Sequence, residues 1–139
     1  MTVRQVVVGE DGRAKAYRPL PEEERIAAVS AGLEAYDAGD FFEAHELLEP
    51  AWMGTDDLAE RNLIQGVIKV AAAYVHSVRG NPAGIRRNLE GARDRLRSGA
   101  AGSITGADVD VDALIRSIDA RLTGSTPLTD PIEIGWRKR

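Results

Sequence analysis

Gly39 to Trp52 reads GDFFEAHELLEPAW, and 41 residues later Gly80 to Arg93 reads GNPAGIRRNLEGAR. Both open with a glycine that stops one helix and an Asp or Asn that caps the next. The match extends in both directions. Ile26, Val29 and Leu33 fall on Val67, Val70 and Tyr74, and Leu48 and Ala51 fall on Leu89 and Ala92. Each half therefore reads as a helical hairpin. A junction this short makes successive helices antiparallel neighbours.

The flanking pattern completes the bundle. A first helix starts near Pro21, with Glu22, Glu23 and Glu24 where the helix dipole favours acids, and Ile26, Val29, Leu33 and Tyr36 as its apolar stripe. Asp40 caps the second helix, with Glu43 placed to close a capping box. A third helix spans about Asp56 to Arg79. A fourth begins at Asn81 with Pro82 in its first turn, its stripe being Ile85, Leu89, Ala92 and Leu96. SGAAGSITGAD, residues 98–108, reads as a flexible linker. A fifth helix follows an acidic cap at Asp108 to Asp110 and aligns Val111, Leu114, Ile118 and Leu122. Two hairpins are fewer than repeat arrays need, so the fifth helix is expected to close the open side.

The expected fold class is thus all-α: a compact antiparallel bundle of two repeated helical hairpins plus a closing C-terminal helix. Residues 1–20 read as an extended N-terminal arm or short hairpin, with GEDG (9–12) between Val-rich and mixed segments. Residues 21–123 form the all-α domain, and 124–139 an extended tail in which Trp136 clamps onto the bundle.

Composition narrows the function classes. The chain has 139 residues, 43% hydrophobic and 29% charged, enough for one core. The absence of cysteine excludes disulfides, thiolate nucleophiles and Cys-ligated zinc. A net charge of −4 argues against a nucleic-acid footprint, and the arginines of the fourth helix interleave with Glu90 and Asp94 as on a solvated, salt-bridged face. No stretch approaches the roughly 20 apolar residues of a membrane span, and no signal peptide is evident. A soluble cytoplasmic protein with neither nucleic acid nor membrane as partner is expected, and no cofactor is assigned.

Chemistry centres on the second helix. At 100° per residue Phe41, His45, Leu48 and Trp52 share a stripe, with Glu49 beside His45 and Glu43 and Glu46 turned towards water. The repeat sets His45 against Arg86, Glu49 against Glu90 and Trp52 against Arg93, so this edge is expected to reach solvent. Gln65, Lys69, Ala72 and His76 form a second line on the third helix. If that line faces the second helix, His45, Glu49, Trp52, Gln65 and His76 line one groove. Two readings compete. One is a non-catalytic binding module taking a peptide or small ligand there. The other is a metal-dependent, hydrolase-like enzyme using His45, Glu49 and His76 as ligands. HELLE is not the HExxH of zinc proteases. Ser77 beside His76 is no dyad, because consecutive helical residues point about 100° apart.

The run GDFFEAHELLEPAW, followed by RNLIQGVIKVAAAYVHSVRGNPAGIRRNLEGA, resembles the uncharacterised bacterial and archaeal family called domain of unknown function 309, with its pattern FEAHExLExxW and then QGxIxxAxAxxHxxxGN. The resemblance covers about Tyr36 to Leu96. It implies an all-α fold of antiparallel helices, with Phe42, His45, Glu46, Glu49, Trp52, Gln65, Gly66, His76, Gly80 and Asn81 matching the family pattern. Pro50 and Lys69 depart from it, standing where the family often has Glu and Gln. The resemblance brings no activity with it.

Overall fold

The computed structural model describes residues 5–8 and 14–139, with side chains from Tyr17 onward. Among the described residues the helices are α1 (Glu22–Asp37), α2 (Phe41–Met53), α3 (Leu58–Val78), α4 (Pro82–Gly99) and α5 (Val111–Leu122). Two small antiparallel ribbons flank them: β1 (Gln5–Val8) with β2 (Ala14–Tyr17), and β3 (Ala107–Val109) with β4 (Trp136–Lys138). Within the N-terminal arm β1 and β2 pair antiparallel; the GEDG segment between them lies outside the described residues.

The caps explain where four helices begin. Side-chain oxygens of Asp40, Asp57, Asn81 and Asp110 accept the amides of Glu43, Glu60, Gly84 and Ala113 at 3.2, 3.0, 3.1 and 3.0 Å. Each satisfies one of the amides that a helix start leaves without a partner. The box expected at Asp40 is only half used, because the Asp40 amide donates to the Ala35 carbonyl instead.

The two hairpins repeat to the hydrogen bond. Gly39 and Gly80 both sit at positive φ, +81° and +68°. Gly39 donates to Tyr36 and Asp40 to Ala35; 41 residues on, Gly80 donates to Ser77 and Asn81 to His76. Each pair is the double bond of a Schellman-type helix end. The stripes meet in one core: Val29 and Leu33 of α1, Leu48 of α2, Val70 and Tyr74 of α3, Ile85, Leu89 and Leu96 of α4, and Leu114 and Ile118 of α5 are all buried. Each large aliphatic so buried contributes roughly 1.5–3 kcal/mol. Helices within a hairpin approach closely at glycines. A Cβ on Gly32 would stand 2.5 Å from Leu48 Cγ, and one on Gly66 2.7 Å from Leu96.

One connecting segment differs from the sequence expectation. Residues 98–108 are not a free linker: Ile104 and Ala107 enter the core, the Thr105 amide donates to the buried Glu60 carboxylate at 2.6 Å, and Ala107–Val109 forms β3. The small residues read as linker are small because they pack tightly; a Cβ on Gly102 would meet Ala59 at 2.4 Å. Asp108 leaves the helix cap to Asp110 and binds Arg137 and Arg139 instead. The C-terminal tail is anchored on the bundle. Ile132 and Ile134 are buried, the Tyr36 and Tyr74 hydroxyls donate to the Ile132 and Asp130 carbonyls, and the Trp136 indole donates to Asp37 at 2.8 Å. Arg121, also buried, ties α5 to the same strap through the Asp130 and Pro131 carbonyls. No helix among the described residues is long and apolar enough to cross a membrane.

Candidate functional site on helix α2

Helix α2 buries Ala44, Leu48 and Ala51 and turns Phe42, His45, Glu46 and Glu49 outward, spaced i, i+3, i+4, i+7. Phe42 is 56% exposed, high for a ring of that size. Its ring lies 6.4 Å from that of His45, centroid to centroid. His45 Nδ1 stands 3.5 Å from Glu46 Oε1. His45, Glu46 and Glu49 each offer a ligand atom, all within 4.8 Å of one another. Pro50 has no amide hydrogen, so the Glu46 carbonyl lacks the donor a helix normally supplies four residues on. The edge is thus rich in acceptors.

A cavity of about 420 Å³ adjoins this edge, lined by Glu46, Glu49, Pro50 and Met53 on one side and Arg18, Pro19 and Leu20 on the other. Two backbone bonds hold the connector there: Arg18 donates to Met53 at 2.9 Å and Leu20 to Gly54 at 3.2 Å. Gly54 permits the approach, since a Cβ would stand 2.5 Å from that of Leu20.

Across the inner border, Trp52 lies under the Arg61 guanidinium, 4.8 Å from carbon to ring centroid. Arg61 is buried, donates to the Thr55 carbonyl, and has its pKa lowered from the ordinary arginine value by desolvation. The polar line of α3 is visible in its burial: Gln65, Lys69, Ala72 and His76 are half-buried, whereas most residues between Glu60 and Tyr74 are buried. Burial, and then the neighbouring Arg95 cation, hold the Lys69 ammonium below the usual lysine range.

His76 belongs to the α3–α4 turn. Asn81 Oδ1 accepts the Gly84 amide, which orients its Nδ2 at His76 Nδ1, 3.2 Å away. That pairing gives Nδ1 the acceptor role and leaves the ring proton on Nε2. Gly84 makes room: a Cβ there would meet the His76 ring at 2.6 Å.

The sequence-derived candidates therefore sit as follows. His45 and Glu49 come together in the outward cluster. Trp52 faces α3, with Gln65 one helical turn beyond its partner Arg61. His76 is engaged by Asn81. Among the described residues the three-ligand cluster contains Glu46 where the sequence reading set His76. Glu46 faces water, as its place on the helix predicts, and the His45 edge is partly open to solvent as well. Arg18, Pro19 and Leu20 carried no sequence signal, because their role depends on how the arm returns to α2. The arginines of α4 also differ from the expected in-helix network: Arg93 and Arg97 reach Asp119 of α5 at 3.0 and 3.6 Å, and Arg86 donates to the Leu122 carbonyl.

Neither curated proteins nor solved structures gave a match. Residues 29–88, from the middle of α1 into α4 and including all five sequence-derived candidates, match the family described as Domain of unknown function (DUF309). The match over that segment supports the resemblance to the DUF309 family carried by the two sequence motifs.

Proposed function

We propose that this chain is a non-catalytic binding module whose binding edge is the outward face of α2, with His45 and Glu49 at its centre. The observation that carries this reading is the continuity of the 56%-exposed Phe42, the His45–Glu46–Glu49 cluster and the 420 Å³ cavity beyond it. An exposed ring, two carboxylates and a cavity walled by Pro19, Leu20, Pro50 and Met53, with Arg18 as its one cation among the described residues, suit a peptide that alternates apolar and basic side chains. The Glu46 carbonyl, which receives no amide proton from Pro50, adds an acceptor for a guanidinium or ammonium donor. Trp52 and Gln65 form the inner border of the edge, towards the groove expected between α2 and α3, and His76 supports it from the α3–α4 turn.

The test is an amide-resolved NMR titration of the full chain with a capped peptide alternating leucine and arginine. Shifts should cluster on 42–53 and 18–20, and a leucine–glutamate peptide should leave them in place. Shifts centred on α4 and α5, or equal effects of the two peptides, would refute the reading.

A second reading has its own support. One His and two Glu within 4.8 Å form a donor set for a divalent cation, with coordination positions left open for water or substrate. The hydrolase-like alternative would rest on that set, with Glu46 in the place first given to His76.

A further inference from the structure

A larger cavity, about 850 Å³, opens between the α1–α2 turn, α5 and the C-terminal strap, and none of the α2-edge residues lines it. Its walls combine three aromatic rings, Tyr36, Phe41 and Trp136, with two carboxylates, Asp37 and Glu133. Among the described residues no lysine or arginine lines it. The nearby cations are engaged elsewhere: Lys138 lies 3.2 Å from Glu34, and Arg121 holds the Asp130 and Pro131 carbonyls.

The rings are fixed. The Trp136 indole is aimed by its bond to Asp37 Oδ2. Tyr36 and Phe41 meet edge to face at 5.1 Å, and Phe41 lies 5.4 Å from Tyr74. The Tyr36 hydroxyl is spent on the Ile132 carbonyl, and burial pushes its pKa far above the ordinary tyrosine value, so it stays a neutral donor. Asp37 and Glu133 belong to no chelating cluster among the described residues, which argues against a bare metal ion. A cation whose charge is spread over methyl groups needs no close oxygen ligands. It packs against ring faces and takes its counter-charge from carboxylates at longer range. The volume falls within the range of small-molecule sites.

We propose that this cavity binds an organic ammonium ion, its methylated head seated against Phe41 and Trp136 and its charge balanced by Asp37 and Glu133. Choline is the probe, and 3,3-dimethylbutan-1-ol, which has the same shape without charge, is its control. The readout is the indole N–H resonance of Trp136, assigned by its loss in Trp136→Phe, with Trp52 as internal reference. Choline should shift the Trp136 resonance saturably and leave that of Trp52 in place, while the neutral alcohol binds roughly 3- to 30-fold more weakly. Asp37→Asn keeps an oxygen for the indole bond while removing the charge. Combined with Glu133→Gln it should weaken choline binding by about the same factor without changing the urea midpoint. Glu46→Gln with Glu49→Gln should leave it unchanged, which separates this site from the α2 edge. Equal binding of choline and the alcohol, no saturable shift into the millimolar range, or a folded Asp37→Asn/Glu133→Gln protein with unaltered affinity would each overturn the proposal.

Discussion

Gly39 and Gly80 occupy the same station in successive helical hairpins, at φ +81° and +68°, and a Cβ on either would meet nothing within 4 Å among the described residues. The cost of a side chain there is therefore purely one of backbone conformation. Gly39→Ala and Gly80→Ala should each destabilise by about 1–2 kcal/mol, and Asn at either site by less. Urea unfolding midpoints of the four variants check this. A cost at one site and none at the other would break the equivalence of the hairpins.

The repeat was legible because it is written in local chemistry. A stop glycine, a capping Asp or Asn and apolar residues at helical spacing all act within a few residues of themselves. Residues 98–108 are ambiguous in sequence because the same small residues serve in a loop and in a tight contact; Ala107 and Gly102 reveal their role only against Ala59 and the core. His45 and Glu49 were legible as neighbours one turn apart on a helix. The place of His76 was not, since it depends on Asn81 donating to its ring rather than only capping α4. Arg18 and Leu20 join the site through backbone bonds to Met53 and Gly54, a pairing that no residue pattern encodes.

The caps of α2 and α4 should differ in weight. Asp40→Ala removes one bond to the Glu43 amide and should cost about 0.5–2 kcal/mol. Asn81→Ala removes the cap and also the partner of His76 Nδ1, adding about 0.5–1.5 kcal/mol. Chemical denaturation of the two variants side by side tests the ordering; equal costs would mean that the His76 bond contributes nothing.

Arg93 binds Asp119 across the α4–α5 interface, whereas Arg87 is exposed. Arg93→Glu should lower the melting temperature more than Arg87→Glu, by an amount corresponding to about 1 kcal/mol. Adding Asp119→Arg to Arg93→Glu should recover much of the loss. Without recovery, the pairing would be incidental to the docking of α5.

Asp108 is held below the ordinary aspartate range, first by its hydrogen bond to Arg139 and then by Arg137. A depressed carboxyl pKa gives stabilisation that is present above the unfolded value and lost as pH falls through the folded one. Pairing of β3 with β4 should therefore loosen on acidification below the usual aspartate range. In Arg139→Gln the Asp108 titration, followed by carboxyl-carbon NMR, should move up towards ordinary values. An unmoved titration would remove Arg139 as the cause.

A divalent cation at the α2 edge makes a separate prediction. Zn²⁺ should raise the melting temperature, because a ligand bound only by the folded state stabilises it. His45→Ala and Glu49→Gln should abolish the rise, whereas His76→Ala should keep it, since the cluster comprises His45, Glu46 and Glu49. A rise lost in His76→Ala would restore the ligand set first read from the sequence.

The most direct measurement is calorimetric: the affinity of the capped leucine–arginine peptide for the wild-type chain and for Glu46→Gln/Glu49→Gln. Both substitutions keep the side-chain shape and sit on the solvent side of α2, so the double variant should melt like wild type. If the α2 edge is the binding surface, the double variant should bind roughly 5- to 30-fold more weakly, and wild-type affinity should fall with added salt. Equal affinity in both proteins, or no heat of binding to the wild type at all, would contradict the assignment of α2 as the functional edge.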